Sequence, residues 1–341
     1  MAEFLEIDPS GEDYWRAIVL FGQNTACYKF ALAKSLLEIA PTGKTLVTLA
    51  DLAVPYSRHI TEHLLLTDKQ ATSKSSQFLD VCRRFNAGEI GEDELVEATI
   101  NMGFVNVLDA FHNLRSGQIP VSFFDRSAWK KSKQIVLTDE LLAMAGGEQF
   151  GNLAQEAEGR WRLVETAWSL DLSRNLVLID FDPDSEMLVT SNRRVNITSC
   201  RSALDGYQKG KCFYCFAPVS LVSGSDNLTQ VDHFFPHRLR DYIKPINGVW
   251  NLVLSCRGCN AGKNGKSDRI ACLPYLERLH TRNEFLIGSH HPLRETLIQQ
   301  TGNSEGLRRG FLQRNYTEAQ RSLGVNRDNC WKPVFEYPQA F

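Results

Sequence analysis

The 341-residue sequence contains no run approaching the roughly 18 apolar residues that a bilayer span needs, so no transmembrane helix is expected. Its opening, MAEFLEIDPSGED, has neither the basic start nor the apolar core of a secretory signal, and the expected location is the cytoplasm. There is no internal repeat and no low-complexity segment, which argues against solenoid and linker-like architectures. Charge of one sign is also missing overall: the formal net charge is −2. The hydrophobic share of 43% and charged share of 23% are those of an ordinary globular chain. The nine cysteines are not expected to build a disulfide framework in a reducing compartment, so closely spaced pairs point to metal.

What is present is uneven. Residues 1–190 carry 17 Lys and Arg against 28 Asp and Glu, a balance of −11. Residues 191–341 carry 21 against 12, a balance of +9. A basic half is the electrostatic footprint of nucleic-acid contact, although solvated helix faces produce the same count. The length suggests about two domains.

The expected class is α+β. Residues 1–175 read as a mostly helical domain. Ser10 and Asp13 frame a helix start before Trp15 and Leu20. Tyr28, Leu32, Leu36 and Ile39 recur at helical spacing, and Pro41-Thr42-Gly43 ends that helix. Lys29 and Lys34 lie beside aromatics in NTACYKFALAK, where a buried face is the safer reading than a DNA face. Residues 46–66 read as one helix broken near Pro55. Further helices are expected over 76–85, 93–102 and 152–169, with a less regular stretch over 116–132. Residues 176–200 read as a β-hairpin and linker, from the β-rich run LVLIDF, the turn Asp182-Pro183-Asp184-Ser185 and the returning Met187 to Thr190. The acidic cluster Asp180, Asp182, Asp184 and Glu186 is expected to be a solvated turn.

Residues 201–282 carry the chemistry. Cys212-Phe213-Tyr214-Cys215 and Cys256-Arg257-Gly258-Cys259 are two C-x-x-C knuckles separated by forty residues. One such pair alone could be a redox motif. Two pairs supply the four thiolates of a tetrahedral zinc site, and with every position filled the zinc is expected to be structural. Gly258 is expected to relieve a turn at positive φ. The other five cysteines, Cys27, Cys82, Cys200, Cys272 and Cys330, are read as isolated buried thiols.

Between the knuckles lies VDHFFPHRL, and NLVLSCRGCN leads into the second pair. The polar residues that stand out are Asp232, His233, Asn251 and Asn260. The expected unit is two strands followed by a short helix opened by Asn260, with Lys263 near the same helix face. The order C-x-x-C, D-H-x-x-P, N-L-V-L-x-C-x-x-C-N-x-x-K over residues 212–266 resembles the HNH, or ββα-metal, endonuclease family, with Asn at the last motif position where His is usual.

The resemblance implies a ββα-metal domain and a role for each motif residue. His233 would be the general base that activates a water for attack on a phosphodiester; an imidazole with an unperturbed pKa near ~6.5 suits that task. Asp232 and Asn260 would hold one catalytic divalent cation, Mg²⁺ above all. Asn251 would fix the loop carrying His233. Products would carry 5′-phosphate and 3′-hydroxyl ends. His237, Arg238, Lys263 and Lys266, with Arg240 and Arg257, are the candidate contacts to phosphates of double-stranded DNA.

Residues 283–341 read as a C-terminal helical extension, with His290-His291 at a helix start rather than in a second metal site. The reading as a DNA endonuclease or nickase stands beside two alternatives: a non-catalytic zinc-ribbon module that binds nucleic acid, and an RNase. The overall layout is similar to that of bacterial anti-phage nucleases, including the HNH effector subunit of Zorya type II systems, which implies defence-system partner proteins. The acidic helical half is expected to regulate the site or engage DNA.

Overall fold

The computed structural model describes residues 9–21, 26–71, 76–114, 117–169, 179–190, 196–288, 291, 293–326 and 329–341. The chain is mixed helix and sheet and divides into two compact units, Met1–Asp171 and Leu172–Phe341. Among the described residues no helix is long and apolar enough to cross a membrane.

In the first unit, helices Gly11–Phe21, Tyr28–Ile39, Leu49–Leu66, Gln77–Asn86 and Phe150–Ser169 supply most of the core. Ser10 and Asp13 cap the first helix reciprocally: Asp13 N donates to Ser10 Oγ at 3.2 Å and Ser10 N to Asp13 Oδ2 at 3.0 Å. Trp15 on that helix packs edge-on to Phe123 at 5.0 Å. The expectation of one helix over 46–66 is corrected. Leu46–Thr48 is a strand paired with Gln134–Leu137, and the helix starts only at Leu49. The Thr48–Asp51 capping box sets that start, because each side chain bonds the other residue's backbone N–H. Pro55 sits inside the helix without ending it; its missing N–H removes one backbone bond. Lys29 is buried and donates to Asn113 O, and Lys34 pairs with Glu158 at 2.7 Å, so both are tied into this unit.

The second unit opens with an antiparallel sheet of Ile179–Asp182, Met187–Thr190 and Asn196–Ser199. The hairpin expected at residues 176–200 is thus part of a three-stranded sheet within this unit; residues 176–178 and 191–195 lie outside the described ones. At its turn, Asp182 accepts from Asp184 N and Ser185 Oγ, while Glu186 pairs with Arg201. Helix Cys200–Gln208 follows, then the strand pair Gln230–His233 and Leu252–Ser255, then helices Leu273–Gly288, Arg294–Thr301 and Glu305–Leu323. The first of these runs across position 282, where the sequence suggests a boundary. Of the His290-His291 stretch, Ser289, His290 and Pro292 lie outside the described residues. His291 is buried, and its Nδ1 accepts from Leu293 N.

Cysteine usage needs one correction. Cys272 and Cys330, expected as isolated thiols, are joined in a disulfide across a separation of 58 residues. Beside it Trp331 bonds back to the chain: its N–H donates to Ile270 O and its carbonyl accepts from Cys272 N. The two cysteines stand 58 positions apart, so only the packing of the C-terminal segment reveals the pair.

Candidate metal centre and the Asp-His site

The two knuckles converge. The sulfurs of Cys212, Cys215, Cys256 and Cys259 all lie within 4.8 Å of one another, and Cys215 and Cys256 are 3.8 Å apart. Four thiolates at about 2.3 Å from one zinc would stand about 3.8 Å apart along each tetrahedral edge. The cluster therefore has the size and donor chemistry to hold a metal such as zinc. The first knuckle is closed by Cys212 N donating to Ala217 O and by Phe216 N donating to Cys212 O, with Phe216 at positive φ of 57°. Arg278, from the helix Leu273–Gly288, donates to the carbonyls of Phe213 and Tyr214 and clamps the knuckle from outside.

The second knuckle is one helical turn, Arg257–Asn260, which begins at Cys256. Asn260 therefore closes this turn, where the sequence suggests that it opens a helix, and Lys263 lies exposed in the loop beyond. Gly258 is not in the left-handed region, contrary to expectation. The close approach is made at Gly262, where a Cβ would stand 2.6 Å from Gly258 O.

Asp232 and His233 end the strand Gln230–His233. They face Val253 and Leu252 in an antiparallel pair buried throughout its second strand. Gln208 bonds both the N–H and the carbonyl of Leu254, which fixes the outer edge of that strand. Asn251 precedes the strand and is wholly buried. Its amide donates to Phe235 O and Ile246 O and accepts from Phe235 N, so it fastens the chain just after His233.

The carboxylate of Asp232 is buried and doubly partnered. Tyr214 donates its hydroxyl to Oδ2 at 2.6 Å, and the Lys266 ammonium lies 3.3 Å from Oδ1. Burial pushes the Asp232 carboxyl above the usual carboxylate range, and Lys266 and Tyr214 pull against that rise. Burial together with the Asp232 carboxylate pushes the Tyr214 phenol well up, so it stays a donor. Lys266, expected at a phosphate, is instead 0% exposed and also donates to the carbonyls of His233 and Ser267.

His233 Nε2 lies 2.9 Å from Asn247 Oδ1, and its ring stands edge-on to His237 at 5.7 Å. Burial pushes the imidazole down to about 4, assisted by the nearby His237 and Lys266 and opposed by Asn247. It is therefore neutral near pH 7 and a weaker base than a free imidazole. His237, Arg238, Arg240 and Arg257 are exposed.

Asn260 donates its amide nitrogen to Gln230 Oε1 at 3.0 Å. Gln230 and Asp232 alternate onto the same strand face, so Asn260 sits over the face that carries Asp232. Asp232 offers one carboxylate, with the Lys266 ammonium already beside it, and Asn260 one amide oxygen. Tyr214, Asn247, Gln230 and Lys266's inward role are the residues that motif reading misses. Tyr214 alone carried a hint, as the aromatic between the two cysteines of a knuckle.

The chain matches no protein-family model, no curated protein and no solved structure.

Proposed function

We propose that the second unit is a metal-dependent phosphodiesterase of the HNH type acting on DNA as an endonuclease or nickase. The observation that supports this most is the joining of clasp and site: Tyr214 of the first cysteine knuckle bonds Asp232, while Asn251 pins the segment after His233. Held by Asn247 at Nε2, His233 would be the base that takes the proton of the attacking water. Asp232 and Asn260 would hold a divalent cation, which supplies charge stabilisation at the scissile phosphate when bound. Exposed Arg238, Arg240, Lys263 and Arg257 would neutralise backbone phosphates. One base and one cation per site cut one strand, so a nick is the expected first product. A role in anti-phage defence rests on the overall layout alone.

The test is nicking of supercoiled plasmid with Mg²⁺, with and without chelator, by wild type and His233→Ala. Equal cleavage by both proteins would remove His233 as the base. Faster hydrolysis of a matched RNA would move the reading to an RNase. The burial of Asp232 against Lys266 favours a second reading, a zinc-clasped binding module without catalysis. In that case wild type binds DNA and never nicks it.

A further inference from the structure

The Lys266 ammonium is fully buried and has three oxygen neighbours: Asp232 Oδ1 at 3.3 Å, His233 O at 2.9 Å and Ser267 O at 3.3 Å. Only one of the three carries a charge. Tyr214 holds the other carboxylate oxygen, so Oδ1 is the oxygen turned to the cation.

The loop that delivers Lys266 is tied to the turn that carries Asn260. Lys266 N donates to Cys259 O and Ser267 N to Asn260 O at 2.9 Å. The loop can curl this tightly because Gly262 and Gly265 lack side chains: a Cβ on Gly265 would lie 2.8 Å from Gly262 N. A short glycine-lined hairpin thus returns one lysine to the carboxylate of Asp232, on the strand whose Gln230 accepts from Asn260.

We propose that Lys266 is the resident counter-cation of Asp232 and that a divalent metal binds at Asp232 and Asn260 only as this ammonium leaves. The inference rests on the metal reading above and adds a gate to it. Two cations sharing one buried carboxylate repel each other strongly, because little water screens them. A lysine side chain can leave by rotation about its own bonds, with the backbone ties of the loop intact. The exchange trades a monovalent charge for a divalent one, so occupancy depends on metal concentration, and DNA phosphate gathered at the rim would favour it. Lys266 is on this account a positioning residue that sets the metal affinity of the site.

The test measures Mn²⁺ binding by paramagnetic resonance on the full-length protein with its four-cysteine site zinc-loaded. Wild type is compared with Lys266→Met and Lys266→Gln, with Asp232→Asn identifying binding elsewhere. Removing a cation at this distance is expected to tighten Mn²⁺ binding roughly tenfold or more. A purely structural lysine gives the opposite sign. Equal or weaker binding in both variants, with wild-type binding intact, overturns the gate and leaves the metal site standing. Absence of Asp232-dependent Mn²⁺ in every protein overturns the metal reading and the gate together. Should the variants lose zinc, acylation of lysines in wild type decides. Lys266 becoming reactive as Mn²⁺ saturates supports the exchange, and continued protection at saturation overturns it.

Discussion

Tyr214 donates a 2.6 Å hydrogen bond to Asp232, eighteen residues along the chain, and this bond links the first cysteine knuckle to the Asp-His pair. The clasp and the candidate site are therefore one structure, and damage to either is expected to reach the other.

Metal removal tests that link most directly. Cys256→Ser leaves three thiolates in a cluster whose four sulfurs lie within 4.8 Å. The variant is expected to lose the roughly one zinc per chain that elemental analysis should find in wild type, and several kcal/mol of stability with it. The same loss is expected when a strong chelator strips wild type. Unchanged thermal unfolding with zinc absent would show that the clasp is not structural.

Asn251 offers a cleaner structural probe. Asn251→Ala removes three hydrogen bonds and leaves Phe235 N, Phe235 O and Ile246 O buried without that partner. The expected cost is about 3 kcal/mol or more in denaturant unfolding. A cost under about 1 kcal/mol would show that water or a shifted loop replaces these bonds.

The Cys272–Cys330 disulfide predicts a redox-dependent stability. Closing a loop across 58 residues contributes about 4 kcal/mol in the chain-entropy account. A phosphine reductant is expected to lower the unfolding temperature of wild type and to leave Cys330→Ser unmoved. Equal shifts in both proteins would place the effect at the other cysteines.

Acid sensitivity in the first unit has a defined sign. His112 is buried, accepts a hydrogen bond at Nε2 from Phe123 N, and is pushed down to about 4 by burial, then by Arg126 and Lys29. A depressed folded value means the unfolded chain binds the proton first. The contribution is fully present above about 6.5 and is lost as pH falls toward about 4. Its ceiling is about 3 kcal/mol. His59, pushed down to about 3 chiefly by burial, acts in the same direction. His63, held between Glu158 and Glu165 and raised by them against burial, acts in the opposite direction. Urea unfolding across this window is expected to show a shallower pH slope in His112→Gln than in wild type. An identical slope would remove His112 as the source.

Much of the site was legible as sequence. The two C-x-x-C pairs, the Asp-His dipeptide and Asn251 ahead of a β-rich run are local patterns, and the chain between the knuckles forms the strand pair expected from its β-rich residues. Helix starts at Ser10 could be read for the same reason, since a cap is made within four residues. The start at Thr48 was missed because Leu46–Thr48 pairs with Gln134–Leu137, a partner far along the chain.

By itself the sequence determined the donor chemistry: four thiolates in two local turns, and Asp, His and Asn at fixed places around them. Those features depend on backbone geometry over a few residues. Only the tertiary structure decided where the charges go. Lys266 turns inward to Asp232 across 34 positions, His233 meets Asn247, and Cys272 meets Cys330, because packing brings distant segments together. A lysine reads the same in sequence whether it faces water or a buried carboxylate. The cost of burying its charge is met only where a partner of opposite sign is already enclosed.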